Sequence, residues 1–266
     1  MDWIQQFQLE KFLLFTLVLT RVSGLVITAP IFGTPEVPPQ VRALLAFALA
    51  VLIFPAQLGV AVAYPGSLVS YLVLLGGELL IGATLGLGVV VLFSGIQLAG
   101  EAIGRISGTM LADIFDPSSG TSVPLFSHLL YLLTLVVFVC IGGHRILMAG
   151  LLDTFQTIPP GQAGLPPSLT ETFVVLVTQS FCLGLRAGAP VIASLLLANL
   201  VLGLIGRTLP QLNILAVGFG INSLLTFGAL VLSVGAAVWV FQDQIEPTLE
   251  AILETLQVPL RREWLS

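Results

Sequence analysis

Charge is what this chain has least of. Charged residues make up 9% of its 266 positions, and Lys11 is its one lysine; soluble domains carry roughly 25%. So few charges cannot cover the surface of a water-soluble body of this length, which leaves lipid or other apolar helices as the surroundings. The same scarcity removes any basic stripe on which a nucleic acid could lie. Cysteine is nearly missing too: Cys140 and Cys182 stand in separate apolar runs. That argues against a disulfide or a cysteine metal site and for two inert buried thiols. Period-two alternation is absent, which excludes a membrane barrel. The N-terminus, Met1-Asp2-Trp3, has no basic region of the signal-peptide kind, so the first apolar run reads as a span.

Catalytic patterns are also lacking. There is no His/Cys metal spacing, no Gly-x-Ser-x-Gly, no phosphate loop and no close pair of intramembrane carboxylates. The stretch Val217-Gly218-Phe219-Gly220 has no strand before it, as a dinucleotide site would require. The expectation is a protein without enzyme activity or cofactor.

Long apolar runs are what is there. They cover residues 12–32, 43–63, 68–100, 129–152, 173–206 and 212–241, and mean hydropathy is +1.06. A bilayer core about 30 Å thick needs roughly 20 apolar residues in a helix. The expected fold is therefore all-α: a multi-span integral membrane protein with about six long, kinked helices. The basic residues do not orient it. With six spans, Lys11, Arg261 and Arg262 fall on one side, and Arg42, Arg105 and Arg207 on the other.

The breaks between runs have their own chemistry. Residues 33–40 hold three prolines and read as a stiff extended connection. Tyr64-Pro65-Gly66 reads as a short turn joining two helices into a hairpin. Residues 101–128 form a long mixed segment around the turn cluster Asp116-Pro117-Ser118-Ser119-Gly120. Residues 153–171, with four prolines, read as an exposed loop, and Arg207 to Gln211 as a tight polar corner. After Phe241, Ile245, Leu249, Ile252 and Leu256 recur at helical spacing opposite Glu246, Glu250 and Glu254. This C-terminal amphipathic helix is too acidic for an anionic membrane surface and is expected to dock on a protein partner. Three glycine pairs at helical spacing, Gly82/Gly86, Gly104/Gly108 and Gly184/Gly188, suit close helix packing.

A few polar residues stand inside the apolar runs: Arg21, Glu78, His144, Arg145 and Arg186. A charge at the bilayer centre costs at least about 2.5–3.5 kcal/mol, so each needs a partner, water or protein around it. Two readings stay open for the charged ones. They form a polar conduit or subunit contact, or an internal ion pair such as Arg21 or Arg186 with Glu78. His144 reads as a hydrogen-bonding structural residue.

Three stretches carry a family resemblance. Leu19-Thr20-Arg21-Val22-Ser23-Gly24 runs on to Ala29-Pro30-Ile31-Phe32-Gly33, then Val37-Pro38, Val41-Arg42 and Pro55. Asp116-Pro117, Pro124, Gly142-Gly143-His144 and Leu152-Asp153-Thr154-Phe155 form the middle stretch. The late and most specific one is Arg207-Thr208-Leu209-Pro210-Gln211-Leu212-Asn213-Ile214 with Val217-Gly218-Phe219. Together, over about residues 12–240, they resemble the flagellar biosynthetic protein FliR family, with Arg207, Pro210, Gln211 and Asn213 as its signature. Gly220-Ile221-Asn222 departs from that family's proline and lysine.

The resemblance implies a non-enzymatic subunit of the flagellar type III protein export gate, in the bacterial inner membrane within the flagellar basal body. Its expected partners are FliP-like and FliQ-like gate subunits, an FlhB-like subunit and the exported flagellar proteins. It also implies a FliP-like part at about 1–165, a FliQ-like helical hairpin at about 166–242 and an amphipathic tail at 243–266. A pore-closing plug falls in residues 106–122, with Met110, Ile114 and Phe115 as apolar contacts and Asp113, Asp116 and Pro117 shaping the turn. A virulence-type export homologue shares this layout. A stand-alone secondary transporter should show paired interrupted helices in two related halves, and no convincing repeat is present. A small channel should show a charged ring or filter loop, and no run offers one.

Overall fold

Apolar runs in a low-dielectric environment must satisfy their backbone groups internally, and helices are how this chain does so. The computed structural model describes residues 2–34, 37–62, 64–108, 124–162, 164, 166–209, 211 and 214–258. Among these, every regular element is helical. The order is α1 (Asp2–Thr28), α2 (Pro39–Ile53) with a 3-10 turn (Phe54–Gln57), α3 (Leu68–Ser107), α4 (Leu125–Cys140), α5 (Gly143–Thr157), α6 (Ser168–Thr208) and α7 (Ile214–Thr255). Five of these helices contain stretches long and apolar enough to cross a membrane, and α4 with α5, bent at their junction, meets the same requirement only as a pair.

Proline and glycine set the ends. Pro38 enters α2 with φ −55° and ψ 140°, an extended conformation, and Pro39 begins the helix where no N–H is required. Pro55 then tightens the chain into the 3-10 turn. The second apolar run therefore stops being α-helical at Ile53, and the connection to α3 occupies 58–67 rather than the three-residue turn expected. Gly108, at φ 79°, ends α3 in the left-handed conformation, so the second glycine of one packing pair acts as a stop. The run 129–152 is not one helix either. Gly142, at φ 76°, breaks it between α4 and α5. Beyond it, α5 continues through Asp153, Thr154 and Phe155, all buried. The loop expected to be exposed from residue 153 begins only at Ile158, and its first residues, 158–161, are half-buried or buried.

The chain forms two units. The first comprises residues 1–90, 142–176 and 245–266. Its core is built on α1, where Leu14, Leu17, Val18, Val22, Leu25 and Ala29 are buried at helical spacing. The first half of α3 lies close against α1. A Cβ on Gly82 would strike the Arg21 carbonyl, and one on Gly86 the Thr28 hydroxyl. The last turns of α7 also belong here. Ile245, Leu249, Ile252 and Leu256 are buried, with Ile252 against Gly88 and Leu253 against Gly150. The amphipathic segment is thus the end of α7, and its apolar face is covered by this chain's own helices rather than left for a partner.

The second unit comprises residues 91–141 and 177–244. Phe93 is its aromatic centre, edge-on to Tyr131, Phe138 and Phe241 at ring separations of 5.7, 5.7 and 5.4 Å. Gly95 and Gly184 bring α3 and α6 into backbone contact, Gly184 against the Gly95 carbonyl and Gly95 against that of Ser180. Cys140 and Cys182 are both exposed on this unit, contrary to the buried thiols expected, because each points away from its helix's packed side.

Candidate functional site

A buried polar cluster lies in the first unit. Arg21 Nε donates to Glu78 Oε2 at 2.6 Å, and both side chains are 0% exposed. A water-filled conduit needs access to solvent, so the ion pair is the arrangement present. The pair does more than neutralise itself. Arg21 Nη1 donates to the carbonyls of Thr154 at 3.1 Å and Ile158 at 2.9 Å, where α5 ends. A cation at a helix C-terminus meets the negative end of the dipole; the Thr154 carbonyl shares the guanidinium with the Ile158 N–H, and the Ile158 carbonyl lies just past the last helical residue. The guanidinium lies 4.4 Å from the centroid of the Phe155 ring, a cation–π contact that suits its weakly hydrated plane. Glu78 Oε1 accepts from the Gly161 N–H at 2.8 Å. Gly161 holds φ 88°, a conformation that a side chain would strain. One ion pair thus ties α1, α3, the end of α5 and the following loop together.

The other singled-out residues lie apart from this clamp. His144 is half-buried and its Nδ1 has no hydrogen-bond partner, so that atom does not supply the bond expected of it. Arg145 is exposed beside it. Arg186 is exposed in the second unit, on an open hollow of about 260 Å³ lined also by Thr178, Gln179, Cys182, Leu183 and Gln244. Arg207 is exposed near the end of α6, and Gln211 is exposed in the turn after it; Pro210 and Asn213 lie outside the described residues. So do Met110, Asp113, Ile114, Phe115, Asp116 and Pro117, while Ile106 and Ser107 are the last helical residues of α3. Among the described residues no cluster of three or more His, Cys, Asp or Glu could hold a metal ion.

Two groups escaped the sequence reading. Thr154, Phe155, Ile158 and Gly161 complete the Arg21 clamp mostly through backbone atoms, which leave no side-chain signal. The second group is a half-buried chain of amides. Asn222 Nδ2 donates to Asn199 Oδ1 at 2.7 Å, and Asn199 Nδ2 donates to the Ile106 carbonyl at 3.1 Å. Asn222 stands in the departure from the family pattern, and that was the available signal.

Fold and site together define a multi-pass helical membrane protein with a buried ion pair in its first unit. A model described as "Bacterial export proteins, family 1" matches residues 12–248. The chain is 31% identical over 255 residues to the flagellar biosynthetic protein FliR of Bacillus subtilis (strain 168), covering 93% of this chain and 96% of that one. It is 34% identical over 204 residues to the protein of the same name from Escherichia coli (strain K12), covering 76% of each. The corresponding Aquifex aeolicus (strain VF5) protein is 32% identical over 227 residues, with 84% of this chain and 85% of that one covered. The chain belongs to this family of bacterial export proteins, the FliR family.

Proposed function

We propose that this chain is a non-enzymatic subunit of a flagellar type III export gate, seated in the bacterial inner membrane within the flagellar basal body. The observation that carries the reading is the match of residues 12–248 to the export-protein family, together with relatives named flagellar biosynthetic protein FliR that align over 93% and 76% of the chain. Those names favour the flagellar system over a virulence-type one. Its partners are FliP-like, FliQ-like and FlhB-like subunits, and flagellar proteins are its cargo. The surface of the isolated chain supports a shared, lipid-facing assembly: Leu224, Val231 and Leu232 of α7 are 78%, 75% and 87% exposed. Residues Met110 to Pro117 are taken as part of the pore-closing plug, and residues 166–242 as the FliQ-like hairpin.

The test is genetic and direct. Deleting the gene in its own bacterium should abolish filaments and flagellin in the medium, and a plasmid copy should restore both. A deletion strain that swims and secretes flagellin normally would overturn the proposal.

A further inference from the structure

Arg186 sits near the middle of the 41-residue α6 and is exposed. It lies at least about 20 Å along the helix axis from either end of the apolar run 173–206, at 1.5 Å per residue. An unpaired guanidinium inside an apolar run needs a counter-ion. The ion pairs Arg21–Glu78 and Arg105–Glu101 do not involve Arg186. The nearest carboxylate on its own helix, Glu171, is about four turns away. Asp243 neighbours Gln244 on the hollow but makes no ion pair with Arg186.

The surroundings suit a helix from outside the chain. Phe181 and Leu185 flank Arg186 and are 63% and 65% exposed, so the outer face is apolar around a single cation. Pro190, one turn later in α6, has no N–H to give to the Arg186 carbonyl. The hollow offers a guanidinium beside Thr178 and Gln179.

We propose that Arg186 is half of an intersubunit ion pair, completed by an aspartate or glutamate that a neighbouring gate subunit carries within an apolar helix. This rests on the multi-subunit reading above. A guanidinium and a carboxylate bury together far more readily than either does alone, and the pair fixes the register of the two helices.

The experiment compares tagged wild type with Arg186→Leu, Arg186→Lys and Arg186→Glu, expressed with the native gate subunits and purified in mild detergent. If the wild type brings down no gate subunits, the gate reading itself fails. If it does, Arg186→Leu should stay at wild-type level in the membrane yet recover at least tenfold less partner, with Arg186→Lys in between. Arg186→Glu should be worse still, and changing one partner carboxylate to arginine should restore it. Normal recovery with both Arg186→Leu and Arg186→Glu would overturn the ion pair. So would a loss that no partner carboxylate reverses, accompanied by loss of bound anionic lipid in native mass spectrometry, since that would assign Arg186 to a lipid phosphate.

Discussion

At the scale of single residues, Arg21 and Glu78 decide how the first unit holds together. Removing one member of a buried ion pair strands the other, at about 3–5 kcal/mol. Arg21→Leu should therefore lower the unfolding temperature of the purified gate complex sharply, or deplete the protein from the membrane. Arg21→Lys should recover only part, because one ammonium cannot serve Glu78, Thr154, Ile158 and the Phe155 ring together. The double change Arg21→Leu with Glu78→Leu removes both charges and should be milder than either single change. It should still fall short of wild type, since the Gly161 N–H and the Ile158 carbonyl would each lose a partner, roughly 1–3 kcal/mol apiece. Wild-type melting of Arg21→Leu would show that the clamp contributes nothing.

At the scale of elements, glycine separates packing from permissiveness within one helix. Gly82 of α3 lies against the Arg21 backbone, so Gly82→Ala must push α1 and α3 apart. Overpacking of this kind costs typically about 1–3 kcal/mol. It should also lengthen the Arg21–Glu78 contact, so the two sites should be coupled in a double-mutant comparison. Gly76, six residues earlier, has nothing within 4 Å of an added Cβ in the isolated chain. Gly76→Ala should be neutral or gain about 0.5–1 kcal/mol from helix propensity. Thermal melting of the two variants side by side checks the contrast; equal losses would mean that a neighbouring subunit occupies the Gly76 face.

At the scale of the whole molecule, an outer surface this apolar predicts dependence on company. Expressed alone, the chain should be degraded or aggregate, whereas with its gate partners it should run as one large complex on size exclusion. A stable, monodisperse monomer would count against the proposed gate. The proposed plug adds a second whole-molecule expectation. Contacts that exist only in the closed state bias a gate shut, and taking it from 99:1 closed to 1:99 requires about 5.5 kcal/mol. Phe115→Ala removes at most about 3–5 kcal/mol and should leak without opening fully. Deleting residues 110–119 should give ion flux across the membrane, or growth arrest, whether or not cargo is engaged. A tight membrane with a normally assembled deletion would show that the seal lies elsewhere.

Hydropathy alone determined the class of this protein. Long apolar runs with 9% charge have no stable surroundings but lipid and other helices, whatever the tertiary arrangement. Composition also marked Arg21 and Glu78 as needing compensation, because a charge in an apolar run is costly wherever the chain goes. Which charge meets which was a matter for the fold. Arg21 and Glu78 are 57 residues apart, and only the glycine-mediated approach of α1 and α3 brings them to 2.6 Å. The backbone carbonyls of Thr154 and Ile158 that share the guanidinium look like any others in the sequence. The same holds for the end of α7. Its acidic and apolar faces were legible as an amphipathic helix, but periodicity records only that a face will be covered. What covers it depends on long-range packing, and here Gly88 opens the space for Ile252 within the chain itself.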